Sequence, residues 1–279
     1  MKCIVSGGTG FLGKHIVERL RKRNHDVIVW GRKPDLDAPI DCDAVVQLAG
    51  EPVAQRWNDE IKRRIRDSRV EGTRNLVQAI SAAAQKPKVL VSASAIGIYG
   101  SRGDEILTES STLGTGFLAE VCKSWEAEAD RAAGAGVRVV KLRIGFVLGN
   151  DGGALAQMVP VFRAFAGGRL GSGKQWMPWI HIDDVAELFT RAVEDPNLSG
   201  VWNATSPNPA RNADFTQALA HVLHRPALFA VPRFTLNLAF GELAQHMIDS
   251  ARVVPAAALD AGFVFRYPEL TPALGNLLA

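Results

Sequence analysis

The stretch KCIVSGGTGFLG at positions 2–13 joins an apolar run to an amphipathic one through closely spaced glycines. Lys2–Ser6 has the continuous apolar character of a buried strand, and a helix is expected from about Gly10 to Arg23. Gly7, Gly10 and Gly13 stand three residues apart at the junction. In such a junction the first glycine permits the tight turn, the second lets the backbone approach a pyrophosphate, and the third lets the helix pack closely on its strand. Phosphates then meet the unpaired N–H groups at the helix N-terminus, where the macrodipole favours negative charge. A glycine triplet in strand–turn–helix context therefore implies dinucleotide binding, with Gly7, Gly8, Thr9, Gly10, Phe11, Leu12 and Gly13 as the cradle.

Outward from this junction, apolar strands alternate with amphipathic helices, which implies an α/β fold with a parallel sheet. Strands are expected at Asp26–Trp30, Ala44–Ala49, Lys88–Ser94 and Val137–Ile144, and helices at about Asp59–Ala84 and Phe117–Ala133. Only the segment Lys33–Asp43 separates the second strand from the next, too little for a strand and helix together. The fold class is thus a Rossmann-type doubly wound sheet whose outer strand after strand 2 is missing or vestigial. Residues 1–150 form the nucleotide-binding domain, and elements from 180–205 return to it. Residues 151–279 form a smaller substrate lobe, with helices at Ala154–Ala166, Asp184–Glu194, Asn212–Leu223, Pro255–Ala261 and Thr271–Leu278 and strands at Ala227–Val231 and Phe263–Arg266.

Composition narrows the class. The chain has 279 residues, enough for one large domain with an appendage. The formal charge is only +3, and the basic helix residues Lys62, Arg63, Arg64, Arg66, Arg69 and Arg74 are interleaved with Glu60, Asp67 and Glu71, a solvated face rather than a nucleic-acid surface. No apolar run reaches membrane-spanning length. Three scattered cysteines, Cys3, Cys42 and Cys122, fit a reducing compartment. A strand already begun at residue 2 leaves no leader, so a cytoplasmic protein is expected. No His/Cys/acid spacing suggests a metal.

The end of strand 2 bears on the cofactor. A site for NAD places a carboxylate there, whereas this chain reads Trp30-Gly31-Arg32-Lys33. Arg32 suits a 2′-phosphate, each charge-assisted bond contributing about 1.5–3 kcal/mol, so NADP(H) is the expected cofactor.

The sequence resembles the extended short-chain dehydrogenase/reductase superfamily, on IVSGGTGFLG at 4–13, VVQLAGE at 45–51, EGTRNL at 71–76, SASAIGIYG at 92–100 and WIHIDDVA at 179–186. More narrowly it resembles the epimerase-family branch with a C-terminal domain of unknown function, on LAGEP with Arg56 and Trp57, GFLAEVC and RIGFVLG. The resemblance implies an NADP(H)-dependent oxidoreductase or epimerase-like protein acting on a small carbonyl or hydroxyl compound. It adds Leu48, Ala49, Gly50, Glu51, Ser92, Ser94 and Arg143 to the expected cofactor site.

The superfamily's Tyr-x-x-x-Lys pair is missing. The chain has two tyrosines, Tyr99 and Tyr267, and Gly103 and Thr271 stand four residues beyond them. The aligned helix offers Phe117 and Val121, and Arg69 takes the place of the family's Asn. Ser94 is the surviving catalytic candidate, with Ser92 competing through register. Cys122 and Lys123 are candidates for the proton donor, alongside Glu120, Tyr99 and His181; each also reads as a core, surface or structural residue. Arg56, Arg143 and Arg169 could clamp an anion or serve in ion pairs. A catalytically silent NADP(H)-binding sensor or scaffold is the competing function, and the substrate and oligomeric state are left open.

Overall fold

A computed structural model describes residues 1–31 and 40–278. Six parallel strands form the central sheet: β1 (Lys2–Ser6), β2 (Asp26–Trp30), β3 (Ala44–Gln47), β4 (Val89–Ala95), β5 (Arg138–Ile144) and β6 (Gly200–Ala204). Their spatial order is β6-β5-β4-β3-β1-β2. The chain moves outward from β1 to β2, then crosses to the opposite side of β1 to lay down β3. That reversal between β1 and β3 is where an open α/β sheet gapes and takes ligands. Among the described residues nothing pairs with the outer edge of β2; most of the segment Lys33–Asp43, on which the expectation of a missing or vestigial outer strand rests, lies outside them.

Helices cover both faces. α1 (Phe11–Lys22) and α5 (Ile182–Glu194) pack on one, α2 (Asp59–Ala82) and α3 (Phe117–Asp130) on the other. Alternation along each strand feeds both layers. Cys3 and Val5 of β1 join Ile16, Val17 and Leu20 of α1 and Val185 and Phe189 of α5, while Ile4 joins Leu76, Val77 and Ile80 of α2. Both sides being buried, the strands read as unbroken apolar runs.

The second half is built from short pieces. α4 (Gly153–Arg163) follows β5, α6 (Asn212–Val222) packs against the C-terminal helix Leu270–Leu278, and the strand pairs are two or three residues long. Residues 200–204 return to the main sheet as β6, parallel to β5. The loop at 100–116 gives Ile106–Leu107 to a small ladder with Arg252–Val253.

One expectation is corrected, and two helices appear where none was expected. Phe263–Arg266 is not a strand. Phe263 and Phe265 turn their rings edge-to-face, 4.8 Å apart, into the core, and the N–H groups of Arg266 and Tyr267 go to the Asp184 carboxylate at 2.7 and 3.0 Å instead of to a ladder. Arg233–Phe240 and Leu243–Met247 are helices with no clear sequence signal. In the first of them Leu236 is the buried residue, while Phe234 and Leu238 face outward, so no apolar stripe marks it.

Asp184 is 2% exposed, and it ties the C-terminal tail to the first turn of α5 through those two bonds. Asp184→Ala leaves the Arg266 and Tyr267 N–H groups, both only part-buried, without their charged acceptor and should cost about 1–3 kcal/mol, read as a lowered urea midpoint. His181, beside it, accepts the Asp183 N–H at 3.0 Å through Nδ1 and stacks on Tyr267 at 4.0 Å. Burial lowers its pKa to about 4 from an ordinary 6.5. The unfolded chain therefore binds the proton first, and stability falls as pH drops from the ordinary value towards 4. Unfolding measured at pH 7 and pH 5 should differ by about 2 kcal/mol from this group, and His181→Asn should flatten that part of the profile.

Candidate functional site

The glycine turn is a sterically closed design. Gly7 has φ +78°, in the left-handed region, and the N–H groups of Gly7 and Gly8 both donate to the Trp30 carbonyl at 3.0 and 3.1 Å. A Cβ at Gly13 would lie 2.2 Å from the Gly7 carbonyl oxygen, so the first turn of α1 rests directly on the turn backbone. Gly10 caps α1 without a side-chain hydrogen bond, and no acidic residue stands in the first turn. The N–H groups of Phe11, Leu12 and Gly13 are the orphan donors that every helix start leaves, and here they are available to an anion. Thr9 is exposed at the rim.

The second wall comes from β3. Leu48 donates its N–H to the Ser6 carbonyl at 2.9 Å, and Ala49 passes so close to Gly7 that a Cβ there would lie 2.8 Å from its nitrogen. Helix α2 then holds the loop. The Glu51 N–H donates to Ser68 Oγ at 2.9 Å, Arg69 donates to the Glu51 carbonyl at 2.9 Å, and Arg64 reaches the Glu51 carboxylate at 2.8 Å. Thus Gly7 to Gly13 and Leu48 to Glu51 are brought together at the switch point between β1 and β3.

A third wall is the loop after β5. The Phe11 ring lies on the backbone of Gly149, Gly152 and Gly153, where a Cβ would come within 2.6, 2.5 and 2.8 Å of it. Asp151 in the same loop accepts from Lys14 at 2.6 Å and contacts His15 at 3.1 Å.

At the end of β4 the expected residues are tied to one another rather than presented to the cleft. Ser94 donates its hydroxyl to Glu126 Oε1 at 2.6 Å. Arg143 grips both oxygens of Glu126 at 2.8 and 2.9 Å and donates to the Tyr99 hydroxyl at 2.9 Å. Tyr99 in turn donates to Asn203 on β6 at 2.7 Å, and Asn203 donates to the Val254 carbonyl at 3.0 Å. Ser94, Glu126, Arg143, Tyr99 and Asn203 are all buried. Arg143, expected at the cofactor, thus has its guanidinium committed to Glu126 and Tyr99. Ser92 is also buried and donates to the Ala93 carbonyl at 3.1 Å.

The helix register differs from the one the sequence suggested. The face of α3 turned towards β4 carries Leu118, Cys122 and Glu126, spaced four residues apart, with Leu118 against Gly97 and Glu126 against Ser94. Phe117, one residue earlier, packs edge-to-face on Trp57 at 5.3 Å. Cys122 is 3% exposed, and burial pushes its thiol up to about 12, so it stays protonated. Lys123 points away, paired with Glu120 at 2.8 Å. His181 sits at the start of α5 as its cap. Arg56 lies beside Gly241, and Arg169 is exposed on the short strand Gly168–Leu170. Arg32 lies outside the described residues. Among the described residues no three His, Cys, Asp or Glu side chains gather as a metal site, and no helix is long and apolar enough to cross a membrane.

Glu126 and Asn203 escaped the sequence reading. The signal for Glu126 was available: a carboxylate four residues beyond Cys122 on a face otherwise apolar. Removing it leaves the buried Arg143 cation uncompensated. Glu126→Ala should therefore cost about 3–5 kcal/mol, read as the fall in unfolding free energy in urea.

Comparison with known proteins agrees with this architecture. Residues 3–204 match the family model described as the NAD dependent epimerase/dehydratase family, and residues 231–277 match the domain of unknown function DUF1731. The chain is 43% identical to the chloroplastic epimerase family protein SDR39U1 homolog of Arabidopsis thaliana, covering 100% of this chain and 87% of that protein. It is 36% identical to epimerase family protein YfhF of Bacillus subtilis, covering 100% and 98%. The crystal structure of human epimerase family protein SDR39U1 with NADPH superposes with a TM-score of 0.95 at 35% identity, over 100% of this chain and 99% of that one. With the glycine turn, the sheet order and the C-terminal segment all in place, the chain belongs to the NAD dependent epimerase/dehydratase family, in the company of the SDR39U1-type epimerase family proteins.

Proposed function

We propose that the chain binds NADP(H) and acts as an oxidoreductase or epimerase-like protein on a small carbonyl or hydroxyl compound. The observation that carries the binding is the 2.2 Å approach of a Gly13 Cβ to the Gly7 carbonyl, beside a helix start without a side-chain cap. Such a surface suits a pyrophosphate, held by the first-turn N–H groups of α1, with Leu48, Ala49 and Gly50 along its side. The human relative solved with NADPH supports the same reading. Arg32 would take the 2′-phosphate that separates NADP(H) from NAD(H). A bound nicotinamide would supply or accept hydride at the cleft.

The chain's own residues constrain the rest. Ser94 spends its proton on Glu126, so towards a ligand its oxygen is an acceptor. Leu118 has no proton to give. On the α3 face turned to β4, the Cys122 thiol is the remaining neutral acid, and its raised pKa keeps the proton on sulfur. Loss of a positioned Tyr forgoes about 10²–10⁴-fold in rate, so turnover should be slow.

The closed chain of bonds from Ser94 to Asn203 favours a second reading, a catalytically silent NADP(H)-binding sensor or scaffold. The two readings part on a simple measurement. Incubated with NADPH and a panel of small aldehydes and ketones, an oxidoreductase loses absorbance at the nicotinamide band above the protein-free rate; a silent binder does not. Fluorescence titration should show NADPH bound about ten- to a hundredfold more tightly than NADH, and Arg32→Ala should erase most of that preference. Equal affinity for the two nucleotides would remove the NADP(H) assignment.

A further inference from the structure

Helix α2 carries a cation at the cleft, Arg69, that forms no direct ion pair with a carboxylate among the described residues, Glu51 acting on it only from farther off. Arg69 donates from Nη1 to the carbonyls of Glu51 at 2.9 Å and Ile65 at 3.2 Å. Its guanidinium lies over the Trp125 ring, 5.3 Å from the centroid. It also fills the space that a side chain at position 50 would need, since a Cβ on Gly50 would sit 3.1 Å from Cζ. Among the described residues no carboxylate comes within ion-pair distance of it, and Nε and Nη2 make no hydrogen bond. A guanidinium has five donors in a rigid fork. Here one arm is used on backbone and the Nε–Nη2 edge is unspent.

Its location gives that edge a purpose. Gly50 follows β3 at the switch point, and Trp125, on which the guanidinium lies, belongs to α3, whose Glu126 meets Ser94 at the end of β4. Arg69 thus stands between the C-terminal ends of two neighbouring strands, where a ligand on this sheet would place its reacting end. A half-buried cation with no carboxylate in direct contact is costly to keep, and an anionic ligand would offset that cost.

The geometry points to Arg69 as the residue that takes the charged oxygen of the substrate: the unspent Nε–Nη2 edge binds a small carboxylate bidentately, while Nη1 and the Trp125 ring hold the guanidinium in place. The substrate class is therefore a small acid, and Arg69 is the determinant that selects it. This rests on the NADP(H) reading above, because the carboxylate is expected to bind beside the bound nucleotide.

The test uses the full chain saturated with NADPH. Oxalate is titrated in, with oxamide as its uncharged isostere, and both the melting temperature and the fluorescence of bound NADPH are followed. Oxalate should bind and oxamide should not. With each protein kept saturated with NADPH, Arg69→Gln should weaken oxalate by at least about tenfold. Arg69→Lys, which keeps the charge but not the fork, should fall between the two and settles the matter if Arg69→Gln fails to fold. Oxalate binding equally well to the NADPH-saturated wild type and either variant, or no oxalate binding to the wild-type NADPH complex, would overturn the inference. Failure of the wild type to bind NADPH would instead overturn the cofactor reading, and it is measured first.

Discussion

The Glu126 carboxylate, gripped on both oxygens by Arg143 inside the protein, is the contact on which the rest of the architecture turns. The pair joins α3 to β5, Ser94 joins it to β4, and Tyr99 carries it on to Asn203 in β6. From Asn203 the chain of bonds reaches the Val254 carbonyl, and the Asn203 N–H donates to Glu109 at 2.8 Å. Two distant stretches, one from the polar loop after β4 and one from the C-terminal segment, are therefore registered against the same strand ends. Such a network is useful only when complete, because each member is buried and loses its hydration whether or not its partners are present.

This arrangement reassigns familiar parts. In the wider superfamily the strand-end serine serves the substrate; here it is the outermost member of a structural network. The helix that would carry the tyrosine and lysine presents Leu118 and Cys122, and Glu126 is committed to Arg143. Charge near the cleft comes instead from α2, the helix that pins the Leu48–Glu51 loop through Ser68 and Arg69. The polar resources of the site have moved from one helix to its neighbour, while the nucleotide cradle has kept its form.

Much of this was legible in the sequence because it depends on local sterics. β1 and β2 run Lys2–Ser6 and Asp26–Trp30, bounds that apolar runs and glycines define by themselves. The glycine turn was readable for the same reason: only glycine fits beneath Gly13 and at the positive φ of Gly7. What escaped depends on partners remote in the chain. The one-residue register of α3 is set by Glu126 meeting Ser94 and Arg143, 32 and 17 residues away. The segment Phe263–Arg266 looks like a strand by composition, yet its backbone is claimed by Asp184, 82 residues earlier. The helix Arg233–Phe240 buries too little of its own surface to leave a periodic trace.

The seat of Phe11 has a consequence for how such chains can diverge. Its ring lies in a mould made by the bare backbone at 149, 152 and 153, more than 130 residues away, and a methyl group at any of the three would collide with it. The four positions form one steric unit. A glycine in the distant loop can gain a side chain only if the aromatic ring shrinks or turns aside, and the ring cannot do either without uncovering the start of α1. Drift at these positions should therefore be concerted, and related chains should keep the ring with its glycines or lose them as a set. The loop after β5 is thus tied by sterics to the nucleotide turn, although it lies in the other half of the sequence.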